Sequence, residues 1–217
     1  MKNRDQSRSV VGLDHVQRVN LDVRTVSDRV RKLERKALFQ ESIVTALPSD
    51  PVDGQTVILQ TAAMLSVGVS WQFRYSSSGG TYPWKFVGGV PWTETVSTSE
   101  TTASTTYTDL ATVGPQITVP AKGQFVVTFG ATEDYSVITS NRVAFASLNN
   151  AGGTPADSQS ARSGHPNIVG LAQSVSRTDS VTIAAAGDVL KLQYRAAADT
   201  ARFAGRFLSI IPVHVSL

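Results

Sequence analysis

The feature that most constrains this chain is a stripe of aliphatic residues near its start: Val16, Val19, Val23, Val26, Val30, Leu33 and Ala37. The steps between them alternate three and four. A straight helix drifts off such a stripe, whereas supercoiled helices stay on it. Val16, Val23, Val30 and Ala37 take the a positions, and Val19, Val26 and Leu33 the d positions. β-branched residues at both a and d favour three strands over two. Arg29 at one g position can meet Glu34 at the next e position of a parallel neighbour. Valine is a mediocre helix former, so the stripe needs partner helices rather than propensity to hold it. The expectation is a parallel homotrimeric coiled coil over residues 13–47, with Val16, Val19, Val23, Val26, Val30 and Leu33 as its core. A core helix packed on its own domain is the other reading, but nothing before Pro48 reads as a strand to pack on.

Pro48 and Pro51 end the helix, since proline neither continues a helix nor lets the residue before it stay helical. Residues 48–92 then read as a small β domain. Val57-Ile58-Leu59 is a short apolar run, and Val69, Trp71, Phe73 and Tyr75 alternate with polar residues. A Ser-Ser-Ser-Gly-Gly turn at 76–80 leads into Tyr82–Val87. All three tryptophans, Trp71, Trp84 and Trp92, fall in this stretch. So small a sheet is marginal alone, so packing against copies of itself around the coiled-coil axis is expected. Residues 93–104 read as a Ser/Thr-rich linker entering a strand. Residues 105–217 alternate in strand fashion at Phe125-Val127-Phe129, Val143-Phe145 and Leu190-Leu192-Tyr194, and close on Phe203–Val215. Gly and Pro punctuate these runs. The fold class expected is mainly β with an N-terminal α-helical coiled coil, the small β domain preceding a jelly-roll-like β-sandwich head. The polar stretch 149–166 is expected to be an exposed loop.

Charge and composition narrow the function. Residues 1–47 carry ten Lys/Arg against six Asp/Glu, while 48–217 carry ten against eleven. The basic character therefore belongs to the N-terminal segment. Its cations sit at non-core heptad positions among acids and without aromatics, which describes a solvated helix face rather than a nucleic-acid site. Charged residues make up only 17% of the chain, and 24 Ser and 22 Thr supply a polar, uncharged surface. With no cysteine, disulfides and thiolate chemistry are excluded. No apolar run is long enough to span a bilayer, and the polar, basic start does not read as a secretory signal.

Catalytic patterns are missing. His15, His165 and His214 lie in three different regions, and no pair has metal-ligand spacing. Glu133-Asp134 is the one adjacent carboxylate pair and reads as a solvated turn. There is no phosphate-binding glycine loop and no Gly-x-Ser-x-Gly elbow. A glycan-cleaving spike would need two converging carboxylates. Asp109, Glu133, Asp134, Asp157, Asp179, Asp188 and Asp199 show no such arrangement in sequence. No catalytic residue, metal or cofactor is expected.

Two stretches resemble minor tail or fibre proteins of tailed bacteriophages. One is Leu47-Pro48-Ser49-Asp50-Pro51-Val52-Asp53-Gly54-Gln55, through Trp71-Gln72-Phe73-Arg74-Tyr75, to Trp84-Lys85-Phe86-Val87-Gly88-Gly89. The other is Arg206-Phe207-Leu208-Ser209-Ile210-Ile211-Pro212-Val213. The resemblance implies a homotrimeric fibre docked on the virion by its N-terminus, at the tail tip or baseplate, with a β-sandwich head for adhesion to host-surface carbohydrate. A head fibre or decoration protein on the capsid is the alternative. Residues 1–12 are then the anchor arm, with Lys2, Arg4 and Arg8 facing an acidic socket on another virion protein. Receptor contact is expected on the head loops within 131–180, at Asn149, Asn150, Gln159, Ser160 and Arg162, because binding residues concentrate on loops held by a rigid scaffold.

Overall fold

A computed structural model describes residues 26–31, 42–137, 142–165 and 168–217. Residues 26–31 form a helical segment, α1, in which Val26 and Val30 are 58% and 46% exposed. The anchor residues Lys2, Arg4 and Arg8, and the stripe residues Val16, Val19, Val23 and Leu33, lie outside the described residues. Residues 42–217 make a separate compact unit. That unit is mainly β, in two sheets.

Its strands are β1 (Ser42–Val44), β2 (Thr56–Leu59), β3 (Trp71–Tyr75), β4 (Trp84–Gly89), β5 (Trp92–Val96), β6 (Glu100–Thr102), β7 (Gln116–Thr118), β8 (Lys122–Val137), β9 (Arg142–Asn150), β10 (Ser160–His165), β11 (Gln173–Ile183), β12 (Val189–Ala196) and β13 (Thr200–Ser216). A short helix α2 (Ala62–Ser66), capped by the Thr61 side chain, joins β2 to β3. The larger sheet runs β1-β2-β3-β4-β13-β8-β11, with β5 and β6 also paired to β13. The smaller runs β10-β9-β12-β7.

The alternation read from the sequence sets the inner faces. Phe125, Val127, Phe129 and Ala131 of β8 and Phe203, Leu208 and Ile210 of β13 are buried from the larger sheet. Ala144, Ala146, Leu190, Leu192 and Tyr194 are buried from the smaller one. Facing small residues with large ones lets two sheets interlock at native density.

The end of the coiled coil expected over 13–47 is not helix: Ser42–Val44, before Pro48, is strand β1, paired in parallel with β2 because its residues complete that sheet edge. Four further expectations are corrected. First, the stretch 48–92 does not stand apart from the head. The C-terminal part of β13 pairs with β4, His214 opposite Lys85 and Val215 opposite Trp84. The Trp71 ring lies 6.1 Å from Phe125 and 6.3 Å from Trp92. Four short strands cannot bury these aromatics alone, and β13 is long enough to carry them into the head's sheet. Second, the expected linker at 93–104 is largely β5 and β6, both on β13. Threonine fits a pleated surface, and the exposed flank of β13 supplies unpaired backbone groups. Third, Glu133 and Asp134 are buried mid-strand in β8, not in a turn. Fourth, the stretch 149–166 is only partly loop. β9 runs to Asn150, a 3-10 turn covers Asp157–Gln159, and β10 follows. β10 carries few large apolar residues because its inward positions, Ala161 and Ser163, are small.

Candidate functional site

The outer face of the smaller sheet is covered by a polar strap from segments 105–109 and 153–160. Arg195 of β12 lies over the Phe145 ring at 3.9 Å and donates to Asp157 through both Nε, at 2.8 Å, and Nη2. Tyr107 donates to the same carboxylate at 3.0 Å. The Arg195 guanidinium, seconded by the Tyr107 hydroxyl, holds the Asp157 carboxyl below the usual range. On the neighbouring edge Lys191 Nζ donates to Asp109 at 2.7 Å.

This strap decides the fate of the receptor residues expected from the sequence. Asn149 is buried beneath it: its Nδ2 donates to Gly153 O at 2.6 Å and Gln193 Oε1 at 2.9 Å, and its Oδ1 accepts from the Gly152 amide at 2.9 Å. The Asn149 amide thus closes a turn. Ser160 is also buried, its hydroxyl donating to Asp157 O at 2.7 Å. Neither side chain is placed to meet a receptor. Arg162 is exposed on β10, near Asp157. Asn150 and Gln159 are brought together.

These two line a depression of about 300 Å³ at the rim where β9, the turn at 157–159 and β11 meet. Leu148 and Val181 supply its apolar part, and Asp179, Ser180 and Thr182 complete it. Asn150 Nδ2 donates to Thr182 O at 3.2 Å, tying β9 to β11. Asn150 Oδ1 is buried with no partner among the described residues. Asp179 is not a free base: Arg177 grips both its oxygens, at 2.5 and 2.9 Å, and also reaches Ser158 O at 2.8 Å. The site therefore offers two exposed hydroxyls, the Gln159 amide and a patch of aliphatic surface. That inventory hydrogen-bonds neutral hydroxyls; it has no activated nucleophile. Sequence reasoning misses β11. Its signal is the alternation Val175, Arg177, Asp179, Val181, Ile183, masked by the charged pair in its middle.

A second buried constellation sits between the sheets. Glu133 Oε2 accepts from the Ser163 amide at 3.0 Å and the Ser163 hydroxyl at 2.6 Å, joining β8 to β10. Burial pushes the Glu133 carboxyl up to about 8, against the lowering effect of those two donors. Arg206 of β13 is fully buried, donating to Glu100 at 3.0 Å, Thr98 Oγ1 at 2.9 Å and Thr112 O at 3.1 Å, with the Tyr194 ring 5.5 Å away. These groups lie inside the fold and lack an opening to substrate; they fix the sandwich.

No protein-family model matches the chain, and no curated protein matches it. Solved structures match at low identity and low TM-score. Eiger TNF from S. frugiperda matches at 11% identity over 58% of this chain and 95% of that one, with a TM-score of 0.41. The C-terminal CBM6 of LamC, a marine laminarinase from Zobellia galactanivorans, matches at 13% over 55% and 98%, with a TM-score of 0.27. The infectious bursal disease virus Gt strain structure matches at 9% over 78% and 53%, with a TM-score of 0.37. Likenesses this distant assign no family.

Proposed function

We propose that the chain is a homotrimeric structural protein of a tailed-phage virion, attached by its N-terminus, with the β-sandwich displayed as a head that adheres to host-surface carbohydrate. Its role is adhesive and structural rather than catalytic. The observation that carries the trimer is the outer face of the larger sheet over β5, β13, β8 and β11. A transverse row runs Thr93, Ser209, Thr128, Thr178, each directly opposite the next. The next row is Thr95, Phe207, Gly130, Ser176. No charged residue stands in these rows.

The hydroxyls already pair with each other, Thr93 with Ser209 at 2.8 Å and Thr128 with Thr178 at 2.9 Å. Covering this face therefore desolvates no charge and strands few polar groups. Four strands about 4.8 Å apart, with two rows about 6.7 Å apart, give a patch of roughly 260 Å². By contrast, Lys191, Arg195 and Arg162 stand on the other sheet. A three-fold axis requires this face to meet a different face of the next copy. The Val stripe supplies the axis, and the polar depression at the β11 rim supplies the glycan contact.

The test is sedimentation equilibrium of the intact chain, with a Ser209→Cys variant probed by maleimide. A mass near three times 23.2 kDa is expected. The introduced thiol should be protected from maleimide in the assembled protein. A monomer at micromolar concentration overturns the trimer. Immunolabelled images of virions then separate tail from capsid: label on the capsid replaces the tail-tip reading by the head-fibre one.

A further inference from the structure

Five arginines and lysines among the described residues have a carboxylate partner. Arg177, Lys191 and Arg206 have carboxylates at 2.5, 2.7 and 3.0 Å, and Arg195 and Arg202 hold theirs as closely. Arg74 and Lys85 are different. They face each other directly across β3 and β4, and His214 of β13 stands directly opposite Lys85 on the next strand. Both Arg74 and Lys85 are exposed, and neither has a carboxylate within ion-pair distance among the described residues. Like charges directly opposite on neighbouring strands destabilise a sheet. A fold that places Ser/Thr rows beside them gains nothing structurally from this pair.

The pair also borders a depression of about 330 Å³ that includes Asp53, Tyr75, Ser76 and Val87. Asp53 Oδ1 is occupied by the Ser77 amide at 2.7 Å and the Ser77 hydroxyl at 3.0 Å. These bonds fix the carboxylate at the rim instead of letting it swing onto Arg74. The half-buried Tyr75 ring is itself held by Trp84, 5.2 Å away. Gly54, held at a φ of +82° that favours glycine, lines the wall beside Arg74.

We propose that this depression binds one acidic sugar unit, its carboxylate held between Arg74 and Lys85. The guanidinium fork matches a carboxylate in two parallel hydrogen bonds, and the lysine adds a point charge. Val87, on the same strand face as Lys85, offers apolar surface to the C–H face of the ring. Asp53 accepts from a ring hydroxyl. The site is distinct from the neutral depression at the β11 rim and needs neither the trimer nor that site to be correct.

The test titrates the full chain with methyl β-D-glucuronide, methyl β-D-glucoside and inorganic phosphate, followed by calorimetry. The glucuronide should bind at least about tenfold more tightly than the glucoside, as loss of charge-assisted hydrogen bonds implies. An Arg74→Gln plus Lys85→Gln variant should lose that difference while its melting temperature stays level or rises, since the opposed charges are relieved. Three results overturn the proposal: no glucuronide binding at about 50 mM, well above the range of millimolar sites; equal binding by the double variant; or phosphate binding as well as the glucuronide does, which would mark a charge patch without a sugar site.

Discussion

Replacing Glu133 by Gln tests the interior of the sandwich most directly. The carboxyl is buried, accepts two hydrogen bonds from Ser163 and has no partner for Oε1 among the described residues. Its folded value of about 8 stands above the ordinary 4.5. A group raised on folding contributes its stability in full below the unfolded value. That contribution is lost progressively as pH rises from 4.5 to about 8. At pH 7 the carboxyl is protonated in the fold and ionised in the unfolded chain, a cost of about 3 kcal/mol, reaching about 5 kcal/mol above pH 8. Glutamine keeps the acceptor toward Ser163 and cannot ionise. Its amide N–H₂ takes the place of the protonated Oε1, so any unpaired-donor cost is common to both proteins. Thermal unfolding of both proteins at pH 5 and pH 8.5 is the assay. With about 2–4 °C per kcal/mol for a unit of this size, the E133Q advantage should grow by roughly 8 °C or more between the two pH values. A difference in melting temperature that does not change with pH would refute the reasoning.

Three further outcomes follow from packing and assembly. Trp71→Ala should cost about 3–5 kcal/mol of unfolding free energy measured by urea titration. The loss should register in the whole 42–217 unit, since Trp71 packs on both Trp92 and Phe125. Gly130→Ala should cost about 1–3 kcal/mol, because the added Cβ presses into the Val175 carbonyl and lies 2.9 Å from a Phe207 ring carbon; a variant as stable as the parent in the same titration would show that β8 and β11 yield there. Val23→Asp with Val26→Asp should reduce the sedimenting mass to that of one chain, since each charge would enter an apolar seam.

Period-two alternation in the sequence is enough to locate most strands and their inward faces: Phe125-Val127-Phe129 and Leu190-Leu192-Tyr194 alternate as read, and all six are buried while the residues between them are not. Local sequence suffices there because a strand with one wet face has to alternate. The cation pair at Arg74 and Lys85 is invisible in sequence for the opposite reason. Eleven residues separate them, and only the β3–β4 register makes them neighbours. Glu133-Asp134 misleads because adjacent carboxylates usually stay in water, whereas here Ser163 and Arg202, 30 and 68 residues away, satisfy them. Asn149 reads as a contact residue because its turn partners lie under a strap that no local pattern announces. The division of the chain is hidden in the same way. Proline, glycine and serine mark the ends of the small β segment, but that it shares a sheet with the head rests on a pairing between residues 84–85 and 214–215. Sequence by itself determined the strand faces and the sparse charge, which are properties of neighbouring residues. Tertiary structure alone decided which strands pair and which polar groups are covered, because hydrogen-bond partners distant in the chain set burial, and burial sets what each side chain can do.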